Sequence, residues 1–389
     1  MSGLRRLILV IMAVSSFVVA GVQPAVPASS PGTPAAGVKA APGADWERKW
    51  ETTLAGARKE GIVRVYTIWA AKTRTLLSQA FKEKYGIELE FTPFARGAEL
   101  LAKYQAEKRA GLQTADVFGV GASSLITMIK PAGLLGPLEP LLILPEVTDP
   151  NGWSGKKFPF IDHEKLIVGM IAAVQRHIDY NTDMIKEGEI TGYKDLLKPQ
   201  YKGKIAMADP RLTGTAAALF NHLTYDLWNA EEASKWLRQI LVQQEAVIQR
   251  EHRLVVEWVA KGKYPIGIAG QSESVAEFMN LGAPINVVIQ KEGHFVDYAA
   301  GALGVPTAQP HPNAAAVFVN WLLTKEGQTL FAVKGYGYPS LRHDVSTQGI
   351  NPMFIPRPNE KLFYLTEGAI KHGGRMMEVA KKIVEEANK

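Results

Sequence analysis

The stretch DPRLTGT (209–215) carries the most definite chemistry in the chain. Small and hydroxyl-bearing residues at a helix start leave backbone N–H groups free, and the helix dipole favours negative charge there. Arg211 beside them offers a two-pronged donor for a carboxylate or phosphate. Thr213, Gly214 and Thr215 are therefore expected to meet a ligand. The plainer reading makes Thr213 an N-cap and Arg211 a solvated surface residue. VGASS (120–124) offers similar chemistry, with Gly121 allowing close approach and Ala122 and Ser123 opening a helix. Trp69 ends a strand, followed by Ala70; its ring suits either a planar solute or the core. Arg96 precedes a helix and suits an anion or plain solvent. Gln271 and Ser272 open another helix and suit a polar ligand.

Catalytic constellations are weak by comparison. GQSES (270–274) lacks the second glycine of a nucleophile elbow. His163 has no second histidine at helical zinc spacing, and the glycines at 119–121 do not complete a dinucleotide fingerprint. The eight histidines are dispersed and cysteine is absent, which excludes disulfides, thiolate metal sites and a lipidated N-terminal cysteine. A hydrolase would require Ser123 or Ser272 to meet a histidine and a carboxylate. No enzyme activity and no cofactor or metal are expected.

The elements that must position these residues can be read from periodicity. Apolar runs at 62–69, 87–94 and 115–121 alternate with helical patterns, the last ASSLITMIK. That β-α-β-α-β order predicts a parallel sheet flanked by helices. A second block repeats it with strands at 202–210, 264–270 and 285–290. In open sheets of this kind ligands sit beyond the carboxyl ends of strands, where the residues above fall. PNAAAVFVNWLLTKEGQTLFAVKG (312–335) is apolar almost all round and predicts a buried helix. A loop and a terminal helix follow.

The N-terminus reads as an export signal. Arg5 and Arg6 precede an apolar run, Leu7 to Ala20, too short to span a bilayer comfortably. Cleavage is expected after Ala20 or Ala28, giving a signal peptide within 1–28 and an Ala/Pro/Gly/Ser tether at 29–45. The formal charge of +6 is spread along the chain. No basic stripe interleaved with aromatics suggests a nucleic-acid partner.

DYNTDMI (179–185), YKDLLKPQYKGKIAMADPRLTGT (193–215), GKYPIGIAG (262–270) and NWLLTKEGQTLF (320–331) occur in order. Together they resemble the bacterial extracellular solute-binding proteins of the ferric-iron and related small-molecule type. The resemblance implies a two-lobed α/β type II periplasmic binding protein, each lobe a mainly parallel sheet, joined by a two-strand hinge. It implies a first lobe at 46–174, a second at 175–299, and a return to the first at 300–389 with C-terminal helices. The crossings would lie near AAVQRHIDYN and HFVDYAAGALGV, placing Tyr180 and Tyr298 at the hinge or cleft, with packing under the hinge the plainer role. It further implies a small-molecule ligand, the membrane permease of an ABC importer as partner, a monomer, and a periplasmic location. Ferric-ion members use two adjacent tyrosines where this chain has Gln271 and Ser272. Neutral Gln and Ser cannot supply the hard charged oxygens ferric iron needs. The expected cargo is therefore an anionic or polar organic solute, with ferric ion the alternative.

Overall fold

Three runs rich in β-branched and aromatic residues, β1 (Ile62–Thr67), β2 (Glu88–Pro93) and β3 (Val117–Val120), lie parallel, with β1 between the others. The structure is a computed structural model that describes residues 44–387. The expected signal peptide and most of the tether lie outside the described residues. The tether's last two positions, Ala44 and Asp45, already belong to a helix, α1 (Ala44–Glu60). Helices α2 (Ala71–Tyr85) and α3 (Gly97–Arg109) join the strands. Gly86 closes α2 in the left-handed conformation that its sequence position predicts. After β3 the chain makes a short helix, α4 (Ala122–Ser124), which widens into a π turn over Leu125–Ile129. The strand β4 (Leu135–Gly136), a one-turn helix α5 (Pro145–Thr148) and β5 (Ile167–Gly169) follow.

Two short strands, β6 (Ala173–Gln175) and β7 (Ile178–Asn181), lead out of this sheet. The second block comprises β8 (Ile205–Ala208), α6 (Thr215–His222), α7 (Ala230–Arg238), β9 (Val247–Gln249) and α8 (His252–Ala260). It continues with β10 (Ile266–Ile268), α9 (Ser272–Asn280) and β11 (Ile285–Val287). The chain returns through β12 (His294–Asp297) and β13 (Ala302–Pro306). It ends with α10 (Pro312–Leu323), α11 (Lys325–Gln328), β14 (Leu362–Tyr364) and α12 (Glu367–Ala387).

Both large sheets are mixed, which corrects the expectation of mainly parallel ones. The first runs β2-β1-β3-β13-β4 with β5 also on β13, and β13 is antiparallel to its three neighbours. The second runs β11-β7-β10-β8-β9, and β7 is antiparallel to both strands beside it. The cause is common. β7 enters the second sheet and β13 re-enters the first directly from the crossing segments, without a crossover helix, and parallel pairing requires such a crossover. Only strands joined by helices, such as β1–β2 and β8–β10, pair in parallel.

The expected two-strand hinge gains a third strand. β6 and β12 pair antiparallel, and β14 from the tail adds in parallel beside β12. Arg176, which follows β6, is 2 % exposed. Its guanidinium pairs with both oxygens of Glu360, at 2.9 and 3.1 Å, and donates from Nε to the Met353 carbonyl. A buried charge left unpaired costs several kcal/mol, so this pair pins the tail to the crossing. Beyond it, α12 places Ile370 in the first core and Ala380 and Ile383 in the second.

Candidate ligand site between the two sheets

The start of α6 is held in a conformation that only glycine adopts without strain. Gly214 has φ 146°, and a Cβ there would lie 2.2 Å from the His252 ring. Thr215 donates to the Ala269 carbonyl and shares a 3.0 Å hydrogen bond with His252 Nδ1. Ala269 is itself left-handed at φ 57°, and its N–H donates to the His177 carbonyl at 2.7 Å. A non-glycine residue held there stores on the order of 1–3 kcal/mol, a kind of strain that gathers at functional sites. No side chain caps α6, so its first backbone N–H groups remain available beside Thr213.

Arg211 does not join this cradle. Its Nε lies 2.9 Å from Asp209 Oδ1, and its terminal nitrogen lies 2.7 Å from Oδ2. Burial alone would raise the Asp209 carboxyl, but these bonds hold it below its ordinary value. The guanidinium instead borders a separate depression together with Arg250. The expected anion fork is corrected to an internal ion pair. A buried carboxylate one turn before an exposed loop takes the nearest cation.

Across from α6, Ser123 and Thr127 reach the same space from α4 and its π turn. Gln175 and Asp297, at the ends of the crossing strands β6 and β12, form its floor. Gln175 Oε1 accepts a 3.1 Å bond from Ser272 Oγ, and Asp297 accepts from the Ala299 N–H at 2.8 Å. Burial pushes the Asp297 carboxyl up to about 6, with the nearby Glu273 charge adding to the rise. The space these residues line is about 440 Å³. Phe295 and Leu365 supply apolar floor, and one face of α12 closes the far side.

Ser123, Thr213, Gly214 and Thr215 are thus brought together as the sequence suggests; the other candidates are not. Trp69 is 2 % exposed, donates from its indole N–H to the Ala300 carbonyl and packs on Phe331. Its ring lies over Gly119, where a Cβ would come within 2.4 Å, so it plugs the first core. Ala70 and Arg96 are exposed residues preceding α2 and α3, outside the cavity. Gly121 backs onto the Ala299 carbonyl and Ala122 is buried in the first core. Gln271 is exposed and accepts from Ser274, while Ser272 is buried behind Gln175. Tyr180 is buried in the second core and Tyr298 in the first, where the Tyr298 hydroxyl donates to the Leu365 carbonyl. Among the described residues, neither Ser123 nor Ser272 hydrogen-bonds a histidine.

Several cavity residues escape sequence reasoning. Thr127 lies one helical turn after Ser123, and Asn221 lies seven residues after Gly214, so helical spacing alone points to both. The signal for α12 is Gly373–Gly374 inside an amphipathic helix, an unfavourable pair at about 1 kcal/mol each that calls for a packing reason.

With this geometry in view, the comparisons agree. A family model described as bacterial extracellular solute-binding protein matches residues 77–354. An uncharacterised protein of Haemophilus influenzae is 26% identical over 285 residues, covering 70% of this chain and 75% of its own. Among solved structures, the Trichodesmium protein FutA in complex with iron and citrate superposes with a TM-score of 0.65 at 20% identity, covering 84% of this chain and 99% of that one. Ferric iron-binding protein A of Mannheimia haemolytica, in an open conformation, gives 0.66 at 17% identity, over 84% and 98%. AfuA of Actinobacillus pleuropneumoniae, with fructose-6-phosphate bound, gives 0.55 at 22% identity, over 85% and 99%. These neighbours establish the two-lobed type II periplasmic binding fold.

Proposed function

The chain belongs to the bacterial extracellular solute-binding proteins, the capture components of ABC importers, and from that premise we propose that it holds a polar organic solute in the space between its two sheets. One observation carries the reading: a cavity of about 440 Å³ lined from both sides, by Ser123 and by Thr213–Thr215, with Gln175 and Asp297 beneath. Such a volume suits a small metabolite. The α6 N-terminus would take a carboxylate, phosphate or carbonyl oxygen. Gln175 and the high-pKa Asp297 would bond hydroxyl or N–H groups. The family's members are binding proteins rather than enzymes, and their location is extracellular or periplasmic. Export through the N-terminal signal, closure about the crossing strands and hand-over to a permease complete the proposal.

Asp297 is the one charged oxygen donor among the described residues lining this cavity, and no tyrosine lines it. Ferric ion needs several hard anionic oxygens, so the donor set favours an organic cargo, even though two neighbours are named for iron. A melting-temperature screen against organic acids, sugars, sugar phosphates, phosphonates, polyamines, thiamine and ferric ion tests the choice. Ligand bound only by the folded protein raises the transition by mass action. A rise with a polar organic solute that is lost in Thr213→Ala supports the reading. A response to ferric ion alone contradicts it.

A further inference from the structure

The far wall of the cavity comes from a segment beyond residue 354, where the family match ends. Helix α12 lays Ile370, Gly373, Gly374 and Met377 along the same space that α6 borders with Ala217, Ala218 and Asn221. Asn221 is 7 % exposed. Its Nδ2 donates to the Ala369 carbonyl at 3.1 Å, whereas its Oδ1 is buried with no partner. A buried acceptor left unsatisfied costs about 1–3 kcal/mol, so folded proteins seldom keep one without use. Two glycines of α12 border the same groove. A Cβ on Gly373 would press the Asn221 amide at 3.1 Å, and a Cβ on Gly374 would meet nothing within 4 Å.

We infer that the groove between α6 and α12 is a specificity subsite that receives the far end of an elongated solute, with Asn221 Oδ1 accepting a hydroxyl or N–H from it. The inference rests on the cleft-binding reading and adds a shape and a polarity to the ligand. Thr215 and Asn221 are six residues apart on α6, roughly 9 Å along the axis. A matching solute therefore has an oxygen-bearing, acceptor end at the start of α6 and a donor end about that far away. Between them lies a short aliphatic or ring body, against Ile370 and Met377.

Titration calorimetry with ω-hydroxy carboxylic acids, from glycolate to hydroxyhexanoate, reads the subsite directly. In the unaltered protein the affinity is expected to rise with length until the hydroxyl reaches Asn221. Gly374→Leu fills the groove, and the loss should grow with acid length, reaching about ten-fold for the longest; one lost hydrogen bond is of that order. Asn221→Leu should remove the same length dependence. Gly374→Ala, which favours the helix and meets no atom, should fold normally and give a smaller loss of the same pattern. Equal affinity along the series, or full retention of the longest acid by Gly374→Leu, would overturn the subsite. If Thr213→Ala weakens binding in that case, the cleft reading stands alone. If Thr213→Ala and Gly374→Leu both leave binding intact, both readings fail. Absence of binding by any member overturns the proposed ligand shape, and the wider melting-temperature screen then decides the cleft.

Discussion

The two helix starts that face each other across the cavity are built differently. On the first sheet's side, Gly121 has φ −66° and its Cβ position meets only the Ala299 carbonyl at 3.4 Å, so nothing there demands glycine. The helix it opens is three residues long before it widens into a π turn. On the second sheet's side, Gly214 is left-handed under the His252 ring, Ala269 is strained beside it, and α6 is eight residues of regular helix. Strain persists only where surrounding packing over-determines it. The second side is thus the more preorganised of the two, and the first contributes a pair of hydroxyls to the same cavity.

The comparison can be broken most forcefully at the two glycines. Gly214→Val is expected to lose about 3–5 kcal/mol of stability from backbone strain and the clash with His252, together with ligand response. Gly121→Ala should cost under about 1 kcal/mol, and thermal denaturation of the pair reads the contrast. Buried in the second sheet lies Asp179, whose two carboxylate oxygens have no partner and occupy the room that a Cβ on Gly267 or Gly270 would need. Burial raises its carboxyl to about 7. A raised acid makes the folded state bind more protons than the unfolded chain between about pH 4 and 7, so its burden on stability grows as pH rises through that window. Asp179→Asn is therefore expected to gain about 2–4 kcal/mol more at pH 8 than at pH 4, as chemical denaturation at both pH values would show. Trp69→Phe in the first core should cost about 1–3 kcal/mol through the lost bond to Ala300 and the smaller ring, while ligand affinity holds.

Much of the fold was legible because it is written locally. The runs at 62–69, 87–94 and 115–121 became β1, β2 and β3, and Gly86 ended α2 where the C′ signal placed it. Strand direction was not legible, because β7 and β13 take theirs from the crossing segments rather than from their own residues. The site divides along the same line. Thr213–Thr215 and Ser123 sit at helix starts, and their small polar types announce it. Arg211 and Trp69 have side chains with two possible partners; nearby Asp209 took one and the aromatic core took the other. Asn221 follows from its spacing after Gly214, but its groove against the Gly373–Gly374 pair formed only when α12, more than 150 residues further on than Thr213, folded back over α6. No local pattern encodes such a contact.

The central claim is that a solute lies between the sheets and is gripped mainly from the second. Titration calorimetry of the most stabilising solute from the screen, against Thr213→Ala, Ser123→Ala and Arg211→Ala, tests it most directly. The account predicts about ten-fold weaker binding for Thr213→Ala, a few-fold for Ser123→Ala, and no more than about two-fold for Arg211→Ala. Binding that survives the first two substitutions but is lost with Arg211 would place the solute at the Arg211–Arg250 depression and contradict the account.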